Sequence, residues 1–113
     1  HALLAGSNFA GAHLEKADLT GGIAMQGANF LIASLQGADL TGAHAQGTDF
    51  SSAGMQAAVL SHARLLGASL RDADLEGANL QHARLLGADL TGAKLPAVPP
   101  CGKRNRHPGA TSI

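Results

Sequence analysis

Residues 60–95 read LSHARLLGASLRDADLEGANLQHARLLGADLTGAKL, and a leucine stands at every fifth position of this stretch. An alanine lies two residues before each of these leucines, so the repeating unit is A-x-L-x-x. We call the large residue of each unit its centre. The centres of this stretch are Leu60, Leu65, Leu70, Leu75, Leu80, Leu85, Leu90 and Leu95.

A period of five fits neither regular secondary structure. On an α-helix each residue turns by about 100°, so leucines five residues apart would spread around all sides. On a straight strand an odd spacing would place successive leucines on opposite faces. The leucines can all point inward only if the chain turns a corner once in every repeat. The pattern therefore predicts a coil of short extended segments, although alanine and leucine by themselves favour helix.

A longer period gives the number of sides of this coil. The segment LSHARLLGASL at residues 60–70 returns as LQHARLLGADL at residues 80–90, an offset of twenty residues or four repeats. Phe30 and Phe50 have the same offset. Four repeats per turn predict an all-β, four-sided parallel β-helix whose successive coils stack about 4.8 Å apart.

The same frame extends back to the start of the chain. There are 19 repeats in all, with 18 large centres and one small centre, Ala45. The large centres before residue 60 are Leu4, Phe9, Leu14, Leu19, Met25, Phe30, Leu35, Leu40, Phe50 and Met55.

One step of the frame, from Leu19 to Met25, is six residues long instead of five. We expect this one-residue insertion, near residues 20–24, to bulge outward at its two glycines, because glycine adopts an irregular corner without a Cβ clash. Phe9 then falls in one column with the other two phenylalanines.

This pattern resembles the pentapeptide-repeat family, whose motif is A(D/N)LXX, over residues 2–95. The resemblance implies a right-handed quadrilateral β-helix of about five coils, which we assign to residues 1–95; strand twist favours the same hand. Because Asp and Asn side chains bond nearby amides in turns, those at the D/N position are expected to bond their corners. They are Asn8, Asp18, Asn29, Asp39, Asp49, Asp74, Asn79 and Asp89.

Residues 96–113, PAVPPCGKRNRHPGATSI, have a different composition. Four prolines and no centres predict that the β-helix ends near Leu95, because proline cannot donate a ladder hydrogen bond. We expect a Pro-rich basic tail that is a flexible terminus or linker, or alternatively a basic tether for an acidic partner. The whole chain has no net charge, but residues 1–95 hold five basic and eight acidic side chains, net −3, and the tail supplies +3.

Candidate chemical sites are few. Cys101 is the one cysteine, and it lies in the Pro-rich tail without a positioned base, so we expect no nucleophilic role. His62 and His82 share a corner, but two ligands are too few for structural zinc. The acids of residues 72–76 face outward, where no cleft raises a pKa. We therefore predict no enzyme activity, no cofactor and no metal site.

One side of the predicted coil differs from the other three. It has glycine two residues after every centre and no acidic residue. Its outward positions include Arg64, Leu66, Arg84 and Leu86, which we call the Arg/Leu strip. With both leucines exposed, this strip is a candidate docking face for a protein. Alternatively, the Arg/Leu strip is only a by-product of duplication of the repeat.

Two functions are compatible with such a rod. The first is a non-catalytic structural scaffold or protein–protein interaction module with an unidentified partner. The second follows from the resemblance, because some pentapeptide-repeat proteins shield bacterial DNA gyrase from inhibitors by imitating duplex DNA. A DNA mimic needs a continuous negative surface. A net charge of −3 without an acidic stripe favours the first function.

Further expectations concern association and location. The open ends of a β-helix expose unpaired backbone groups, so we expect end-to-end association of copies or a flanking segment that covers them. Direct nucleic-acid binding is not expected. No apolar run is long enough to span a membrane and no signal peptide is recognisable, and a bacterial, cytoplasmic protein is favoured.

Overall fold

The chain winds into a right-handed quadrilateral β-helix, seen in a computed structural model that describes residues 3–97. Within that range there is no helix, and each repeat contributes one bridged residue rather than a longer strand. All 15 bridges are parallel and join residues one coil apart. The predicted parallel coil with four repeats per turn is therefore confirmed. The tail of residues 98–113, with Cys101, lies outside the described residues and stays a prediction.

The bridges form four ladders, and each ladder defines one face of the rod. Face 1 carries Leu3, Ala24, His44, Arg64 and Arg84. Face 2 carries Asn8, Asn29, Asp49, Ser69 and Asp89. Face 3 carries His13, Ser34, Gly54, Asp74 and Lys94. Face 4 carries Asp18, Asp39, Val59 and Asn79.

Most repeats that have a following coil among residues 3–97 are joined to it by three backbone hydrogen bonds. The amide of Leu65 donates to the carbonyl of Arg84 at 2.8 Å, and the amide of Arg84 donates back to Ala63 at 2.9 Å. At the corner, the amide of Gly67 donates to the carbonyl of Leu86 at 3.0 Å. Because this pattern recurs on every side, the backbone polar groups of a narrow rod are paired without long strands.

The corners are tight turns of one kind. At each corner except that after Leu19, the carbonyl of the centre accepts a hydrogen bond from the amide three residues on. The residue two positions after the centre has a positive φ, which together with this bond is typical of a type II turn. Glycine fills most of these positions, but seven residues with a side chain also adopt the left-handed conformation. They are Lys16, Ile32, Ser52, Ala57, His62, Asp72 and His82.

The extra residue of the first coil lies at the predicted corner. Gly21 and Gly22 both have positive φ, 84° and 70°, and the bridges have an offset of 21 residues before this corner and 20 after it. The phenylalanines consequently form one stacked column, with ring centroids 5.1 Å apart for Phe9 and Phe30 and 5.3 Å for Phe30 and Phe50. The extra residue therefore lies at the corner of Gly21 and Gly22, and the three phenylalanines share one column.

The core is a filled column along the axis of the rod. Every centre from Met25 to Leu80 is buried, and the alanines two residues before these centres are buried with them. Centres of the first and last coils are half-buried, because one side of each end coil has no neighbour among residues 3–97. Leu95 departs from its predicted role as a core centre. It is 43% exposed, since no later described rung covers it.

Neighbouring alanines at one corner give a test of the turn geometry. Ala57 is exposed with φ 61°, whereas Ala58 is buried at the inward position. Ala57→Gly is expected to raise the free energy of unfolding by about 0.5–1 kcal/mol, because relief of left-handed strain exceeds the added entropy of the unfolded chain. Ala58→Gly should lower it by about 1–2 kcal/mol through lost packing and added entropy. Urea denaturation measures the free energy of unfolding of both variants. Equal losses of stability in the two variants would contradict the assigned turn.

Candidate interaction surface

The structure brings the four residues of the Arg/Leu strip together. Arg64 and Arg84 are bridged neighbours on face 1 and both are exposed. Leu66 and Leu86 follow them at the next corner, where Leu86 is 79% exposed. The expectation that Leu66 is equally exposed is wrong, because it lies between the rungs of Gln46 and Leu86 and is half-buried.

Two histidines extend the strip across the preceding corner. The imidazole rings of His62 and His82 stack with centroids 4.9 Å apart and an interplanar angle of 20°. Each histidine precedes an arginine by two residues, so they border the strip on the side opposite its leucines. The sequence predicted that His62 and His82 share a corner, but it did not assign them to the Arg/Leu strip. Among residues 3–97, no group of three or more potential ligands could hold a metal ion.

The positive charge of the strip is not balanced nearby. The described part of the chain contains two ion pairs, one between His13 and Glu15 at 3.5 Å and one between Arg71 and Asp89 at 3.1 Å. Neither arginine of the strip has a carboxylate partner within residues 3–97. The strip is therefore a basic surface on a β-helix of net charge −3.

Face 1 has no Asp or Asn corner bond, whereas faces 2 and 4 have several and face 3 has one, at Asp74. All eight Asp and Asn residues of the D/N position accept a hydrogen bond from the amide two residues on, at 2.9–3.1 Å, as expected. All eight lie on faces 2, 3 and 4. Face 1 turns each corner at a glycine with φ between 69° and 77°, a conformation also found at several corners of the other faces. These glycines are Gly6, Gly27, Gly47, Gly67 and Gly87.

The division of roles has a physical consequence. On faces 2 to 4 the eight Asp and Asn side chains before the centres bond their own corners, whereas the other residues at this position make no such bond. These other residues are His13, Ser34, Gly54, Val59, Ser69 and Lys94. On face 1 the turns require no such side chain, since glycine adopts the left-handed conformation without strain. The outward positions of face 1 can therefore carry arginine and histidine side chains that are available to contact another molecule.

The carboxylates of the other faces serve the scaffold. Asp74, for example, accepts hydrogen bonds from the Gln56 side chain at 2.9 Å and from the Glu76 amide at 3.1 Å. The acids near residues 72–76 are exposed or half-exposed, as predicted. Their contacts account for corner geometry rather than for acid–base chemistry.

Asp89 shows the electrostatic effect of these contacts most clearly. The Thr91 hydroxyl donates to its carboxylate at 2.6 Å, the Thr91 amide at 3.0 Å and Arg71 at 3.1 Å. These hydrogen bonds, with those from Thr91 the larger cause, lower the pKa of Asp89 to about 2. Asp18 has the same kind of bonds from Thr20, and its pKa is also lowered.

The lowered pKa of Asp89 predicts an acid-sensitive contribution to folding. The contribution is fully present above the ordinary pKa of 3.8 and is lost as the pH falls through about 2, because the folded protein holds the charged form. A carboxyl NMR titration should place the Asp89 midpoint near pH 2. Arg71→Gln should raise this midpoint but leave it below 3.8, since the Thr91 bonds remain. Lys94→Gln is the control, and an equal shift there would contradict the local cause.

Comparisons with known proteins agree with this geometry. The family profile described as Pentapeptide repeats matches residues 1–30, 33–71 and 58–95, in 8 copies. No helix among residues 3–97 is long and apolar enough to cross a membrane. A comparison with curated proteins finds no match.

Several solved structures resemble the chain. A pentapeptide repeat protein from the thylakoid lumen of Arabidopsis thaliana is 33% identical over 81% of this chain and 63% of its own, with a TM-score of 0.78. Rfr23, a pentapeptide repeat protein from the cyanobacterium Cyanothece 51142, is 30% identical over 82% and 63%, with a TM-score of 0.79. The chain thus spans less than two thirds of the length of these relatives.

A weaker likeness involves a protein with a named biological effect. QnrB1, a plasmid-mediated fluoroquinolone resistance protein, is 18% identical over 80% of this chain and 61% of its own, with a TM-score of 0.38. A likeness this low carries no argument about function. The profile match, the two relatives above and the four-sided coil together show that this chain belongs to the pentapeptide repeat family.

Proposed function

We propose that this chain is a non-catalytic interaction module that presents the side chains of face 1 on a rigid rod. One observation carries the proposal. Face 1 has no Asp or Asn corner bond, and it carries Arg64 and Arg84 without a carboxylate partner among residues 3–97, next to Leu86, which is 79% exposed. A purely structural rod would have no need for an unpaired basic pair next to an exposed leucine.

The interior of the rod supports the same function. Centres and alanines fill the axis from Met25 to Leu80, with 0–7% of each side chain exposed. A substrate therefore has no internal site in this range. Contacts with other molecules must be made by the outer surface, which suits a scaffold or docking protein.

The DNA-mimic alternative predicts a different surface. A mimic of duplex DNA needs dense negative charge along the rod. The Asp and Glu side chains are spread over faces 2, 3 and 4 and their corners, and Arg64 and Arg84 interrupt any acidic surface on face 1. This distribution disfavours mimicry.

A DNA gyrase supercoiling assay, with and without a quinolone, separates the two functions. We expect neither inhibition nor drug protection, even with the protein in large excess. Inhibition or protection at low micromolar protein would overturn the proposed module. The variant Arg64→Glu/Arg84→Glu sharpens the test, since two reversals change the coil charge from −3 to −7 (−3 − 2 × 2). It should also leave gyrase unaffected, whereas a mimic would become more potent.

End-to-end association of copies remains a prediction. At the first coil, the amides of Asn8, His13 and Asp18 have no backbone partner among residues 3–97, which is the arrangement of an open β-helix end. Light scattering over a hundredfold concentration range should show a mass that rises with concentration. A constant monomer mass would contradict this association.

A further inference from the structure

A like-charged pair occupies the last two described rungs of face 1. Arg64 and Arg84 occupy successive rungs of one ladder, where neighbouring strands are about 4.8 Å apart. Like charges directly opposite each other on a sheet are destabilising. Elsewhere in the chain an arginine has an acidic partner. Arg71, for example, forms an ion pair with Asp89 on the neighbouring rung. No residue of the described chain does the same for the face 1 pair.

The groups beside this pair are arranged in matching columns. His62 and His82 stack on one side of it, and Leu66 and Leu86 lie on the other. Within one rung these outward residues alternate, at positions 62, 64 and 66, and the next rung repeats them at 82, 84 and 86. The surface thus offers imidazole, guanidinium and leucine in a fixed order, each of them doubled.

We propose that this surface binds an extended acidic segment of a partner protein, an inference that rests on the proposed interaction function. Alternate residues of an extended chain are about 6.6 Å apart and point to the same side. The outward residues at positions 62, 64 and 66 alternate in the same way along the rung. The complementary segment has two acidic side chains and then an apolar one at alternate positions, so that carboxylates meet the histidine and arginine columns and the apolar side chain meets the leucines.

The chemistry of the groups favours this occupant. The guanidinium of arginine presents a planar fork of donors that holds a carboxylate through two hydrogen bonds. The exposed side of Leu86 gains from burial against an apolar side chain. A bound carboxylate also removes the repulsion between Arg64 and Arg84, which gives the complex an advantage that the free protein lacks.

A nucleic acid fits the same surface less well. Its backbone offers phosphates to the two arginines but nothing apolar to the two leucines. The net charge of −3 on the β-helix also repels a polyanion, whereas a short acidic segment contacts the basic strip alone. Single-stranded DNA is therefore a control ligand in the test.

Fluorescence anisotropy with the full chain tests the proposal. The probe is a labelled ten-residue peptide in which the unit Glu-Ser-Glu-Ser-Leu occurs twice. The control peptide has glutamine in place of each glutamate. At low salt we expect the acidic peptide to bind at least about tenfold more tightly than the control peptide. Arg64→Gln/Arg84→Gln should weaken binding by about tenfold or more, and Leu86→Ser by about threefold. Arg71→Gln, whose arginine is already paired, should change it by less than about twofold.

Stability is measured on the same variants. The double arginine variant should unfold at the same temperature as the parent protein or slightly higher, because it loses only a repulsion. Weaker binding with unchanged melting therefore supports the proposal. Equal binding of the acidic and glutamine peptides, an equal effect of Arg71→Gln, or tighter binding of a labelled twenty-nucleotide DNA would overturn it. Any of these outcomes would contradict only the proposed acidic partner. Inhibition or drug protection in the gyrase assay would contradict the interaction module itself.

Discussion

Phe30→Ala is expected to lower the free energy of unfolding by about 3–5 kcal/mol. The Phe30 side chain is fully buried and stacks between Phe9 and Phe50, with interplanar angles of 11° and 17°. Removal of the Phe30 ring takes away both aromatic contacts and leaves a cavity in the buried column, which no neighbouring side chain fills. Because each coil of a solenoid contacts only its neighbours, the loss also uncouples the first coil from the rest.

Two control substitutions isolate this effect. Phe30→Leu keeps an apolar centre and is expected to cost about 1–1.5 kcal/mol. Leu31→Ala changes the next residue, which is 39% exposed, and should cost about 0.5–1 kcal/mol. Urea unfolding followed by circular dichroism measures all three variants. If Phe30→Ala cost no more than Leu31→Ala, the stacked column would not stabilise the coil as described.

Ala45→Leu is the second large effect, with an expected loss of about 2–3 kcal/mol. Ala45 is the single small centre, and it is fully buried between Met25 and Leu65 of the same column. Two neighbouring inward positions that usually hold alanine are larger here, Ile23 and Thr48, and both are buried. The extra volume of these side chains compensates for the small centre, so a leucine at position 45 is overpacked.

A double substitution tests this compensation. Thr48→Ala alone should cost about 1 kcal/mol, since the Thr48 hydroxyl donates to the Met25 carbonyl at 2.8 Å. In the Ala45→Leu background it should instead restore stability, because it removes volume next to the new leucine. Ala5→Leu, at an exposed corner, is the control and should change stability by less than about 0.5 kcal/mol. Additive losses in the double variant would contradict the compensation.

The core and the candidate surface differ in how far the sequence predicted them. The centres, the phenylalanine column and the bulge at Gly21 and Gly22 were all predictable, because inward positions follow from the repeat frame alone. The eight Asp and Asn corner bonds were predictable as well, since each joins residues only two positions apart. The ion pair of Arg71 with Asp89 and the bond from the Thr48 hydroxyl to the Met25 carbonyl were not predictable. They join residues 18 and 23 positions apart, and the rotamers of the side chains involved depend on neighbouring coils.

The sequence by itself determined the four-sided coil, its register and its buried column, because one large residue and one small residue per repeat can be buried in only one way. The tertiary structure decided the exposure and the contacts of the outward groups. In the folded chain the rings of His62 and His82 stack, Leu66 is half-buried and Leu86 is exposed. Outward side chains are not constrained by the repeat, so their surroundings depend on the coils above and below them.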